Sequence, residues 1–275
     1  SVILISAVGG YPLGAFTARR LFEQSEISSA DFKKLLLFAV LPSPSFAVGA
    51  VGSAMLGSKN AGFLIYFSVL LASLILGIFS RLTIFKDTDS TFSSEAPNCR
   101  YEIFSSISSS IEKSGRAMLF ICFSILFFSA VLSITDSFFA SASAQMLSAA
   151  LLEVTCGCKR LSENFALPVI AGTVGWGGLC THFQIMNEIA LSGLSIPVFF
   201  AFRLLHGALS SVFCLALLKI FPVVSETLSS SCTQNVSISS GPSLAFSLCL
   251  IAMSVLLLLG NNFVVSSQKR TNKIT

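Results

Sequence analysis

Charged side chains are what this 275-residue sequence most lacks: 17 lysines and arginines and 13 aspartates and glutamates make up only 11% of it, beside 53% hydrophobic residues and a mean hydropathy of +0.84. A soluble domain of this length needs a charged surface, so that class is excluded. Segments of alternating apolar and polar residues are also missing, which excludes an outer-membrane barrel. The net charge is a modest +4, and no basic patch carries interleaved aromatics, so a nucleic-acid partner is not expected. There is no G-x-x-x-x-G-K-[ST], no H-E-x-x-H and no G-x-S-x-G, and the two histidines, His182 and His206, lack partners at metal-ligand spacing. The sequence therefore predicts no enzyme, no metal and no cofactor. No basic leader with a cleavage site is visible. Ser1 opens directly into the apolar run 2–8, so the start reads as lying inside a helix, with membrane sequence expected before it. Most of the eight cysteines sit in apolar runs as small hydrophobes, and Cys156-Gly157-Cys158 is too close for CxxC spacing.

Long apolar runs are what the sequence does have. A spanning helix needs about 20 mainly apolar residues. Residues 61–80, 117–135 and 196–221 qualify, 138–152 crosses together with the motif that follows it, and 243–265 makes a last span. Two other apolar stretches are divided. Residues 35–58 are interrupted by Pro42-Ser43-Pro44, and residues 165–187 by the glycine-rich run 172–178, which includes Trp176. The arms of the first stretch, some 7–14 residues, reach about 10–20 Å at helical rise, roughly half the hydrocarbon thickness. Both stretches read as re-entrant hairpins. Non-helical backbone at that depth must be buried in protein or line a water-filled cavity, and two such tips imply a cavity.

A short glycine-bearing motif stands ahead of each stretch: Gly10-Tyr11-Pro12-Leu13-Gly14 and Glu153-Val154-Thr155-Cys156-Gly157. Three crossings between the hairpins turn the two halves opposite ways. The expected architecture is an all-α, polytopic membrane protein of two inverted repeats, each with a re-entrant helical hairpin and a broken helix. It divides into a first repeat (1–81), a polar linker with an amphipathic helix carrying Phe104, Ile107 and Ile111 (82–115), a second repeat (116–221), a loop (222–242), a C-terminal transmembrane helix (243–265) and a basic tail (266–275). Arg81, Lys86, Arg100, Lys113, Arg116, Lys159, Arg160 and the tail mark the cytoplasmic face, while Arg19, Arg20, Lys33, Lys34 and Lys59 fall on the other.

Paired broken segments point to the central site of a transporter. Glu153 is the acidic residue set within an apolar run of the second-half core, 137–187; Glu163, the other one there, lies in the polar stretch 159–164. A carboxylate at membrane depth costs about 2.5–3.5 kcal/mol, so it faces a cavity or a partner. With its helix ending near Gly157, Glu153 reads either as the coupling site for H+ or Na+ or as a helix-end carboxylate pairing with Lys159. Gly10, Tyr11, Pro12 and Gly14 form an unwound segment, because Pro12 deletes a helix hydrogen bond and the glycines relax the backbone. Its free backbone groups either meet the solute or belong to a plain loop. Ser43, Gly177 and Gly178 sit at the hairpin tips, with Thr155, His182 and Gln184 beside them. Arg203 and His206 share a helix face. They either form a cationic patch for an anion, with His206 titrating near neutral pH, or serve helix pairing with Arg203 snorkelling to the surface.

These stretches resemble the sporulation integral membrane proteins of the YlbJ type, which carry the Gate or nucleoside-recognition domain found in concentrative nucleoside transporters. The likeness rests on GGYPLGA at 9–15, LLLFAVLPSPSFAVGAVG at 35–52, LLEVTCGCKRL at 151–161, GWGGLCTHFQ at 175–184 and FRLLHG at 202–207. It implies a secondary transporter in the cell membrane or a forespore membrane, moving a small anionic solute such as dipicolinate. The chain departs from the pattern at Pro42-Ser43-Pro44 and at Cys156, both of which lack amides. The alternatives are a non-transporting scaffold of the spore envelope and a nucleoside-type transporter. The expected partners are the lipid bilayer, the solute and a coupling ion.

Overall fold

A computed structural model describes residues 2–83, 103–163 and 166–222, and the regular structure among them is entirely helical. Pro12 ends the first helix as its missing N–H requires, leaving α1 (Val2–Gly9) and α2 (Leu13–Glu23). Ser28 starts α3 (Ser29–Phe38) as an N-cap that accepts from the Asp31 N–H at 3.0 Å. The first junction, residues 39–43, is non-helical and contains Pro42, while Pro44 at φ −58° and ψ −36° opens the helix that follows. After it comes a widened π-type helix (Ser45–Met55), and then α4 (Lys59–Thr83). Ser43 caps the π-type helix by accepting the Phe46 N–H at 3.2 Å. The wide helix lets Gly52 lie on Gly62 of α4, where a β-carbon would stand 2.6 Å from the Gly62 Cα.

The order of a broken helix, a divided stretch and a long helix recurs after α5 (Ile103–Phe138). Helices α6 (Ala142–Leu152) and α7 (Val154–Ser162) break at Glu153. Helices α8 (Leu167–Trp176) and α9 (Gly178–Gln184) meet at Gly177, the second junction. The short α10 (Met186–Ser192) leads into α11 (Ile196–Ile220).

Four expectations are corrected. The segment from Ile103 is the start of one continuous helix, α5, and not a separate interfacial helix. The first stretch begins at Ser29, so Asp31, Lys33 and Lys34 belong to its first arm. Gly172 and Gly175 are helical, and the second interruption is confined to Gly177, because those two glycines serve close packing on Ser211, Ser210 and Gly207 of α11. Glu153 does not precede a helix end near Gly157: it begins α7, which runs on through Gly157 to Ser162. The expected loop at 222–242 beyond Pro222, the helix 243–265, the basic tail, and Lys86 and Arg100 lie outside the described residues.

Among the described residues, three helices are long and apolar enough to cross a membrane: Lys59–Ser80, Ser114–Phe138 and Ile196–Ile220. Their outward faces carry bare apolar side chains, among them Phe63, Phe67, Leu74 and Ile78 on α4 and Met118, Phe123 and Leu126 on α5. Contiguous apolar surface of this kind is far more than water-exposed proteins show. Two cores lie inside, and each joins elements from both sides of α5. Phe32, Leu36 and Leu37 of α3 pack with Ile189 of α10 and Phe199 and Phe202 of α11. Leu41 and Val51 pack with Val69 of α4, Val154 and Cys158 of α7, and Ile170 and Val174 of α8.

Candidate functional site

Backbone that leaves helical geometry frees N–H and C=O groups, and buried ones must find partners. At the first junction the partners are side chains from three other helices. Ser73 of α4 donates to the Phe38 carbonyl at 2.7 Å. The Ser6 hydroxyl of α1 donates to the Ala39 carbonyl and accepts the Leu41 N–H at 3.3 Å. Arg203 Nη1 of α11 donates to the Val40 carbonyl at 3.0 Å.

The second junction is closed in the same way. Tyr11 donates its hydroxyl proton to the Val174 carbonyl. Arg203 Nη2 donates to the carbonyls of Gly175 and Trp176, the latter at 3.1 Å. His182 Nε2 lies 2.9 Å from the same Trp176 carbonyl, so that nitrogen carries the proton. Gly177 turns the chain at φ +87°, a left-handed conformation that favours glycine, and a β-carbon there would stand 3.4 Å from Arg203 Nη2 and 3.5 Å from the Tyr11 ring. One guanidinium thus holds both junctions, with no surface exposed. It does not snorkel as the sequence allowed, because the carbonyls at the ends of α3 and α8 supply its acceptors inside the protein.

His206 completes the cluster. Its Nε2 donates to the Val69 carbonyl at 3.1 Å, which leaves the Nδ1 lone pair to accept from Arg203 Nη1 at 3.0 Å. Both ring nitrogens are engaged, so protonation would cost the Arg203 bond. Titration near neutral pH, which belongs to one of the two readings of the sequence, would break that bond. His182 and His206 are fully buried. His182 Nδ1 and Arg203 Nε have no hydrogen-bond partner among the described residues.

Glu153 is buried at the break between α6 and α7. Its Oε1 accepts the Thr155 N–H at 2.9 Å and its Oε2 the Cys156 N–H at 2.7 Å, an N-cap that places the carboxylate on the positive end of α7. It pairs with helix N–H groups and not with Lys159. Gly178 abuts this break: a β-carbon there would lie 2.9 Å from the Val154 nitrogen. Gly10 abuts Ser43 similarly, at 2.8 Å. Each broken helix therefore touches a junction. Gly14 lies against the Ala39 carbonyl and Ser6, and Pro12 is buried beside it. Thr155 is exposed, Ser43 is half-buried and occupied with its cap, and Gln184 is buried with its amide 3.6 Å from Cys180 Sγ. These three do not join the Arg203 cluster. The two junctions are buried in protein, the other of the two ways such backbone is tolerated, so they do not by themselves require the cavity that was expected. A cavity of about 890 Å³ lies elsewhere, between α4 and the end of α11.

Several residues of this arrangement were not singled out from the sequence. Ser6 and Ser73 look like ordinary serines in apolar helices. Trp176 donates from its indole to the Leu151 carbonyl at 3.2 Å, closing the end of α6. Two ion pairs tie the broken helices to their neighbours. Arg160 of α7 meets Asp136 of α5 in a fork at 2.8 and 2.6 Å, and also donates to the Gln145 carbonyl. Arg19 of α2 reaches the buried Glu188 of α10 at 3.3 Å. Asp136 holds the Arg160 guanidinium above its ordinary pKa by hydrogen bonding, and Glu23 does the same for Arg19.

No known protein family, curated protein or solved structure matches the chain. What the fold and site define, among the described residues, is an all-helical arrangement with three helices fit to cross a membrane and two helix junctions fastened by one buried arginine.

Proposed function

We propose that this is a secondary membrane transporter of a small anionic solute, made of two inverted repeats that each contain a re-entrant hairpin and a broken helix, here with its central passage closed. The observation that carries the reading is the single buried guanidinium bonded to the Val40 carbonyl on one junction and the Gly175 and Trp176 carbonyls on the other. Rocking one half against the other would part those bonds. The planar fork that satisfies carbonyls then satisfies a carboxylate equally well, so a solute can replace the backbone as its acceptor. Tyr11, lying against Gly177, offers a ring for an aromatic solute to stack on.

In this reading Glu153 couples transport by taking H+ or Na+ at the expense of its cap, and the energy comes from an ion gradient or from the solute's own. The resemblance to sporulation membrane proteins extends the proposal to dipicolinate and to a role in a spore-forming cell's membrane. Pro42-Ser43-Pro44 and Cys156 bring no amide, which disfavours a nucleoside. The complete burial of Arg203, His182 and His206 favours a second reading, a non-transporting scaffold of the spore envelope. Uptake into reconstituted vesicles decides between them, with dipicolinate, nucleosides and simple carboxylates each offered under H+, Na+ or no gradient. Saturable uptake of a carboxylate is expected. A folded protein that accumulates none of these solutes under any gradient belongs to the scaffold reading.

A further inference from the structure

The cavity between α4 and α11 lies away from the junctions and is lined mainly by apolar side chains. Its wall on α4 is Asn60, Phe63, Phe67 and Leu71, one face of that helix, and Leu217 and Ile220 of α11 close the other side. From Asn60 to Leu71 the helix rises about 16 Å, which is about half the hydrocarbon thickness, or one leaflet. The wall is apolar along this length. The polar residues Ser58 and Asn60 lie at one end, where α4 begins and α11 finishes.

Lys59 stands between those two polar residues and Lys219 immediately before Ile220, and both are exposed. Neither has an acidic partner among the described residues. The slot thus has an apolar shaft one leaflet deep, and at its polar end each helix carries an exposed lysine next in sequence to lining residues; lysine stems reach readily to a headgroup. We propose that it binds one anionic glycerophospholipid, with an acyl chain along Phe63, Phe67 and Leu71 and the phosphate between Lys59 and Lys219. A neutral lipid would fill the shaft but leave the two charges unanswered. Basic pockets between membrane helices bind anionic headgroups in this way.

The test is native mass spectrometry of the purified full chain after exchange into mixed micelles holding equal phosphatidylglycerol and phosphatidylcholine. Wild type should retain one phosphatidylglycerol in preference to phosphatidylcholine. Each of Lys59→Gln and Lys219→Gln should lower that preference about fivefold, the value of roughly 1 kcal/mol per basic residue near an anionic surface. Leu217→Trp, which fills the shaft, should expel both lipids while the variant keeps its helical circular dichroism. Equal retention of the two lipids by wild type overturns the proposal, as do lysine variants with undiminished preference. Because the readout is lipid retention, its result is independent of whether any solute is transported.

Discussion

Replacing Arg203 by glutamine asks the most of the structure. The guanidinium is fully buried and donates to the carbonyls of Val40, Gly175 and Trp176 and to His206. In the variant the Trp176 carbonyl still has His182, but those of Val40 and Gly175 lose their side-chain donor. A buried polar group left without a partner costs about 1–3 kcal/mol, so the two orphaned carbonyls together cost about 2–6 kcal/mol, and the His206 Nδ1 lone pair, which loses its donor as well, adds to this. A change of 1 kcal/mol moves the midpoint by about 2–4 °C in a protein of this size, which puts the fall in Tm from the two carbonyls alone at about 4–24 °C. Arg203→Lys should recover part of the loss, since an ammonium can reach one junction but not fork across two. The assay is thermal unfolding of purified protein in detergent, followed by tryptophan fluorescence, because Trp176 reports from the second junction itself. A glutamine variant that melts within about 1 °C of wild type would refute the claim that this side chain holds the junctions together.

Glu153→Gln keeps one acceptor but loses the charge facing the α7 N-terminus, and should cost about 0.5–2 kcal/mol in the same melt. If that variant also keeps full transport at every pH, Glu153 is not the coupling group. Gly177→Ala forces a β-carbon into a left-handed conformation and should cost about 1–2 kcal/mol, with a matching drop in Tm. Arg160→Gln and Asp136→Asn should show a coupling of at most about 1 kcal/mol in a double-mutant cycle, since the pair is partly exposed at 31% and 25%. A coupling near zero would leave Gln145, which donates to the Asp136 and Phe139 carbonyls, as the main tie at the end of α5.

The sequence revealed those features that follow from a residue's own covalent structure. Pro12, Pro42 and Pro44 lack an N–H wherever they stand, so the breaks they cause were legible. The apolar spans of α4, α5 and α11 were legible from length and hydropathy alone, though not that α5 begins at Ile103. Glycine is ambiguous: Gly172 and Gly175 read as an interruption because glycine also permits a straight helix to approach another closely, and only α11 reveals which use applies. Glu153 was visible as an isolated carboxylate, but its extended backbone at φ −140° and ψ 118°, which makes it an N-cap, was not. Least legible were the partners of Arg203. They are main-chain carbonyls, which every residue possesses, so no side-chain pattern could single them out. The same holds for Ser6, whose value lies in facing a junction 33 residues away.

The bonds Tyr11–Val174 and Arg203–Val40 each join residues 163 positions apart. During synthesis, then, residues 39–43 are made long before the side chain that seals the Val40 oxygen. The growing chain must carry an unfinished apex until α11 arrives. A product cut short before residue 203 would leave the Val40 carbonyl without that donor, however well its earlier helices had formed.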